Sequence, residues 1–152
     1  MPILPGNLTG THYVRVIRPA FQDARRMLPQ MRDRAVLRRH ALKLRFWGAD
    51  EPVDDQNQVV DLDWGWIKAL RNERIGELRI DDHIGGFNNI RIITWHPERS
   101  LTVDWDKRVG PVPHVWVLSA FQKKRQDFTK GEYANFRARR QTVIERFYGS
   151  LL

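Results

Sequence analysis

Pro113-His114-Val115-Trp116-Val117-Leu118-Ser119-Ala120-Phe121-Gln122-Lys123-Lys124-Arg125-Gln126-Asp127-Phe128-Thr129-Lys130-Gly131-Glu132 is the stretch on which the reading of this chain turns. Its first half is a short apolar run rich in Val, Trp and Leu, which predicts a buried strand over 114–121. Its second half runs straight into three consecutive cations, Lys123-Lys124-Arg125. Thr129 then stands three residues ahead of Glu132, the spacing of a capping box that starts a helix. A rigid strand therefore delivers a knot of positive charge to the mouth of a helix, an arrangement suited to holding a phosphate-rich ligand against a fixed surface.

Around that stretch the chain has 152 residues, enough for one domain whose core needs no staples. Apolar residues at 41% and aromatics at 11%, with six Trp, argue against global disorder. Cysteine is absent, which excludes disulfides and thiolate metal sites and fits a reducing compartment. The opening Met1-Pro2-Ile3-Leu4-Pro5-Gly6 has neither the basic nor the apolar region of a signal peptide. No apolar run approaches the length that spans a bilayer. The expectation is a soluble, cytoplasmic protein with no membrane partner.

The formal charge is +8, and its distribution says more than its sum. Residues 15–45 hold ten Arg/Lys against two acids, residues 46–100 hold six against eleven, and residues 123–147 hold eight against three. Two basic segments flanking an acidic middle suit a nucleic-acid face better than a uniformly cationic coat. The competing reading of each surface arginine, Arg38 and Arg39 included, is a solvated helix face that keeps the protein dissolved.

Working outward, residues 1–10 hold two Pro and two Gly and read as a loose, flexible arm. Thr11 to Ile17 is a β-branched, aromatic run and reads as the first strand. Pro19-Ala20-Phe21 breaks it; Phe21, Ala24 and Leu28 then recur at helical spacing, giving a short helix that ends at Pro29. A second helix is predicted over about 31–46, stopped by Gly48. Residues 49–63 are acidic and turn-rich and form a surface loop or insertion. Trp64 and Trp66 read as core. Extended pieces follow at Glu77–Ile80 and Ile90–Trp95, with a third opening at Leu101-Thr102-Val103. Residues 81–89 form a Gly- and Asn-rich connection. A final helix over about 130–148 carries Tyr133, Phe136, Val143, Ile144 and Phe147 on one stripe. The order strand, two helices, a strand meander and a last helix predicts an α+β fold: a small antiparallel or mixed sheet with helices on one side.

Glu77-Leu78-Arg79, then Ile90-Arg91-Ile92-Ile93, then Leu118-Ser119-Ala120-Phe121-Gln122-Lys123-Lys124 and the capped helix resemble the RelE/ParE toxin superfamily, and most closely its phage-derived, HigB-like branch. The β-α-α-β-β-β order is similar to that family's sheet. The resemblance spans residues 12–148 and implies a single toxin domain over 11–152, with loop insertions near 49–63 and 96–113. It also implies a type II toxin: an endoribonuclease that cleaves mRNA, commonly on the ribosome, and is neutralised by a cognate antitoxin. The superfamily also contains gyrase inhibitors. A basic RNA-binding protein without catalysis is a third reading.

Metal-free RNA cleavage proceeds by attack of a 2′-hydroxyl on the adjacent phosphate. It needs a base for that proton, cations for the developing charge and an acid for the leaving oxygen. Arg79 and Arg91, on adjacent strands, and Lys123 and Lys124 are the candidate catalytic residues. Arg125, Lys130, Arg38 and Arg39 are candidate nucleic-acid contacts, and His83 is a candidate acid or base. Each has a structural alternative: Arg91 pairing with Asp81 or Glu77, the Lys123-Lys124-Arg125 cluster as a solvated strand end or antitoxin patch, His83 as merely exposed. His114 reads as structural. The chain departs from the family in having no His or Tyr in Lys123-Lys124-Arg125-Gln126, although Tyr133 and Tyr148 follow, so the general acid or base is open. No cofactor is called for, and the aspartates at 54, 55, 61, 63, 81 and 82 lack a recurring metal-ligand spacing.

Overall fold

In chain order the elements are β1 (Ile3–Leu4), β2 (Leu8–Thr9), β3 (Tyr13–Val16), α1 (Arg18–Met27), α2 (Met31–Leu42), β4 (Trp64–Trp66), β5 (Ile75–Ile80), β6 (Ile90–Trp95), β7 (Val103–Asp106), β8 (Gly110–Val112), β9 (His114–Gln122) and α3 (Lys130–Val143). They are taken from a computed structural model that describes residues 3–4, 6–98, 101, 103–106 and 110–149. Single 3₁₀ segments follow α2 (Lys43–Phe46) and β4 (Lys68–Glu73), and α3 continues as a widened π-type turn over Ile144–Tyr148.

Five strands form one mixed sheet in the order β3-β9-β6-β5-β4. β4, β5, β6 and β9 are antiparallel neighbours, whereas β3, followed in the chain by the α1–α2 hairpin, lies parallel to β9. The α+β expectation holds. The expectation of helices on one side does not, and β9 supplies the reason. Val115, Val117 and Ala120 pack into a core with α1 and α2, while Trp116 and Leu118 pack into a second core with Phe136 and Val143 of α3. A strand apolar on both faces needs two covers. Each large side chain so buried contributes roughly 1.5–3 kcal/mol.

The ladder between β6 and β9 carries a bulge. Ile93 stands opposite Ser119 and Thr94 opposite Val117, so Leu118 is an extra residue on β9.

Local chemistry accounts for the boundaries. α1 begins at Arg18, earlier than expected, because Pro19 sits in the first turn, where a missing N–H breaks no intrahelical bond. Within the arm expected over 1–10, β1 pairs with β2 and Leu4 is buried, while Met1, Pro2 and Pro5 lie outside the described residues. The acidic segment 49–63 is held by one bridge, Val53 to Val59. Within it Asp54 Oδ1 accepts from the amides of Gln56 and Gln58, both at 2.9 Å. In the expected insertion at 96–113, β7 and β8 make a separate hairpin, and the strand expected to open at Leu101 begins at Val103. Arg99, Ser100, Thr102 and residues 107–109 lie outside the described residues. Trp64 and Trp66 are half-buried on edge strand β4, where they cluster with Trp47 and the buried His96. Among the described residues no helix is long and apolar enough to cross a membrane.

Candidate functional site

Alternation along β5 turns Ile75, Glu77 and Arg79 toward the α3 side, and alternation along β6 does the same for Arg91, Ile93 and Trp95. Register then sets Arg79 directly across from Arg91, and Arg91 across from Phe121 of β9. The two arginines therefore share one face of the sheet. Arg91 is the deeper, with 13% of its side chain exposed against 38% for Arg79.

Between them lies a carboxylate. Glu77 is 7% exposed, with Oε1 3.4 Å from Arg79 Nε and Oε2 3.6 Å from Arg91 Nε. Arg79 Nη1 also donates to Asp63 Oδ1 at 3.0 Å. Two guanidiniums thus face two carboxylates, making a charge-balanced cluster. Of the two acids open as partners of Arg91, Glu77 is the one beside it. The match is incomplete, because Glu77 Oε2 and Arg91 Nε are buried and make no hydrogen bond.

Asn89 ties this cluster to the end of β9. Its Oδ1 accepts from Arg91 Nη1 (2.6 Å), its Nδ2 donates to the Lys123 carbonyl (2.7 Å), and its own carbonyl accepts from the Lys123 amide (3.0 Å). Asn89 has φ 53°, a left-handed conformation that asparagine tolerates better than most residues. Lys123 places its ammonium 4.5 Å from the centre of the Phe128 ring, which packs against Phe121 and Phe136. The capping box is present: the Thr129 hydroxyl accepts from the Glu132 amide (3.1 Å), and Glu132 Oε1 accepts from the Thr129 amide (2.8 Å).

The other candidates scatter. Lys124 is exposed and lines a shallow groove with Arg26, Ser119, Gln122 and Arg139, separate from the Lys123–Phe128 contact. There Arg139 bridges to Asp23 of α1 at 2.5 Å and donates to the Leu118 carbonyl at 2.9 Å. Arg125 and Lys130 are exposed near the start of α3. Arg38 and Arg39 are exposed on α2, which packs against the opposite face of the sheet. His83 is exposed on a loop that leans on the helical hairpin, through Asp82 to His40 (3.1 Å) and Gly85 against Leu28, so it does not join the arginine pair. His114 is buried, donates from Nδ1 to the Val112 carbonyl (2.8 Å), and is pushed by burial to a pKa of about 4. Tyr148 is buried, accepts from Trp116 Nε1 (2.9 Å), and has its pKa raised by burial; Tyr133 is half-buried against Phe128. Among the described residues no group of three His, Cys, Asp or Glu is placed to hold a metal ion.

The arrangement offers guanidinium donors for phosphate oxygens, a carboxylate as proton acceptor, an ammonium as donor, and aromatic rings for a base to stack on. Asn89 is the member that sequence reasoning does not place, and Glu77 enters there only as a structural partner of Arg91. Both carry a usable signal, since each stands two residues before a candidate arginine and so shares its strand face or turn. Compared with family models, with curated proteins and with solved structures, the chain has no match.

Proposed function

We propose that this chain is the toxin component of a type II toxin–antitoxin system of the RelE/ParE kind. In this reading it is a cytoplasmic, ribosome-associated mRNA endoribonuclease that works without a metal and is neutralised by a cognate antitoxin. The observation that supports the reading is the gathering of Arg79, Arg91 and Glu77 on one sheet face, tied through Asn89 to the backbone of Lys123, whose ammonium lies over the Phe128 ring. The element order β3-α1-α2, antiparallel strands, then α3 agrees with the order that the resemblance implies.

In the proposed reaction, Glu77 takes the proton of an RNA 2′-hydroxyl as O2′ bonds to phosphorus. The P–O5′ bond breaks, and the Lys123 ammonium supplies the proton that the leaving O5′ needs. The products are a 2′,3′-cyclic phosphate and a 5′-hydroxyl. Arg79 and Arg91 neutralise the charge that grows on the phosphoryl oxygens, Arg79 by exchanging its exposed contact with Asp63 for phosphate. This accounts for the missing His or Tyr: a carboxylate and an amine take the acid–base roles. The pairing of both arginines with acids favours one second reading, a basic RNA-binding protein without catalysis.

The experiment is induced expression in a bacterial host of the wild type, Lys123→Ala, Glu77→Gln and Lys124→Ala, with growth and mRNA 5′ ends followed together. Arrest with new cleavage ends is expected for the wild type. Lys123→Ala and Glu77→Gln, still folded by circular dichroism, should each lower cleavage by about 10²–10⁴-fold, and Lys124→Ala by far less. Arrest with intact mRNA would point instead to a protein target such as gyrase, and no arrest would leave the RNA-binding reading.

A further inference from the structure

The other face of the molecule carries a surface that the endonuclease reading does not use. β3 is the outermost strand of the sheet and is paired on one side only. The amides of Tyr13 and Ile17 donate to the carbonyls of Pro113 and Val117, at 2.9 and 3.2 Å. In a parallel ladder that parity turns the N–H and C=O groups of Val14 and Val16 outward, away from β9. Natural edge strands are commonly blunted by charge, proline or a covering element. The one charged residue within β3, Arg15, is turned to the far face, its guanidinium 4.8 Å from the Trp116 ring and 4.5 Å from the Phe147 ring.

Beside that edge, β3 and the helical hairpin enclose a cleft of about 630 Å³ with largely aliphatic walls. Val16, Phe21 and Met31 line it and are 50%, 51% and 78% exposed. They are three of the five large hydrophobic residues left exposed among the described residues, gathered at one place. Arg38 stands exposed on the same lining, and residues 18–43 around it hold eight Arg/Lys against two acids.

We propose that the β3 edge and this cleft together bind an extended, acidic segment of a partner protein. The segment adds a strand alongside β3 through the main-chain groups of Val14 and Val16. Alternate apolar side chains enter the cleft, and acidic ones between them meet the cationic helix α2. The aliphatic walls favour a polypeptide over RNA, whose backbone brings no apolar side chain to fill them. The sheet separates this surface from Arg79 and Arg91, so the inference stands whether or not the chain cleaves RNA.

The test uses the full chain, isotope-labelled, and the synthetic peptide Glu-Val-Glu-Ile-Glu-Val-Glu, read by amide chemical shifts and hydrogen exchange. The Val14 and Val16 amides are expected to shift and gain protection, and the same peptide with lysine for glutamate should fail to bind. Arg38→Glu should weaken binding about three- to tenfold. Ala35→Trp, which fills the cleft from an exposed helix position, should abolish it while the rest of the spectrum is retained. Four outcomes would overturn the proposal. They are no shift at Val14 and Val16 up to millimolar peptide, equal binding of the lysine peptide, displacement of the peptide from these amides by a uridine oligonucleotide, or the same shifts on raising protein concentration alone, which would make the occupant a second copy.

Discussion

The α3 face of the sheet is built in two halves of opposite character. At one end Ile75, Trp95 and Trp116 stand abreast on β5, β6 and β9; four residues along β5 and β6, Arg79, Arg91 and Phe121 stand abreast on the same three strands. The first row is capped by Val143, Ile144 and Tyr148. The second is held by ion pairs and by Asn89, and remains partly open to water. Strand order is common to both rows, so the side chains, with the β9 bulge setting which of them face α3, divide the face into a region that holds the fold and a charged region that the proposed chemistry would use. Glu77 and Ile93, between the rows, mark the seam, one carrying charge and the other entering the core.

Trp116→Ala is the strongest way to break that comparison. It empties a fully buried position and removes the donor to Tyr148, so a loss of about 3–5 kcal/mol is expected in denaturant unfolding. Arg79→Ala, in the open half, should cost less, about 1–2 kcal/mol, because Arg79 and Asp63 are partly solvated and the buried Glu77 keeps Arg91 beside it. Equal losses would mean that the charged half is structural too.

The pH dependence of stability sharpens the same division. His114, neighbouring Trp116 in β9, has a folded pKa of about 4 against 6.5 for the ordinary side chain. As pH falls below about 6.5 the unfolded chain takes up the proton first, so stability drops between pH 6.5 and 4, by roughly 2–3 kcal/mol if the full shift is expressed. His96, lowered well below its ordinary value by burial, acts in the same direction. Urea midpoints at pH 7.5, 5.5 and 4.5 should fall in order, and His114→Gln should flatten the slope. A slope unchanged in that variant would remove His114 as its source.

Asn89→Ala is the smallest change and the most local. Its two exposed side-chain hydrogen bonds are worth roughly 0.5–1 kcal/mol each, and if the chain cleaves RNA as proposed, cleavage should fall more than stability, because Arg91 loses its side-chain tether to the Lys123 backbone. Stability loss with unchanged cleavage would show that the tether does not serve the site.

Much of this was legible in local sequence. The apolar run 114–121, the piece 90–95 and the Thr129–Glu132 box depend on near neighbours and form as read. Period-two alternation fixes that Glu77 shares a face with Arg79, while Arg79 and Arg91 share theirs only because register pairs them. What local sequence does not encode is lateral register. The insertion of Glu77 between the arginines, the return of β3 to lie parallel with β9, and the convergence of Trp47, Trp64, Trp66 and His96 all depend on which strands become neighbours. The helices take both faces because β9 is apolar on both, a property visible in its residues but decided only when two covers are available.

The bulge at Leu118 has one more consequence, and it concerns counting. Before it, even-numbered residues of β9 such as Trp116 look toward α3; after it, odd-numbered ones such as Phe121 do, and Lys123 follows. A single surplus residue thus selects which of two adjacent, chemically identical lysines lies over Phe128 on the α3 side and which is sent to the groove beside α1. Flattening the bulge while keeping Leu118 would act as a frameshift in three dimensions, exchanging Lys123 for Lys124 without altering either, whereas deleting Leu118 would restore regular alternation and leave Lys123 in place. Here the position of an amine is written in the length of a strand as much as in its letters.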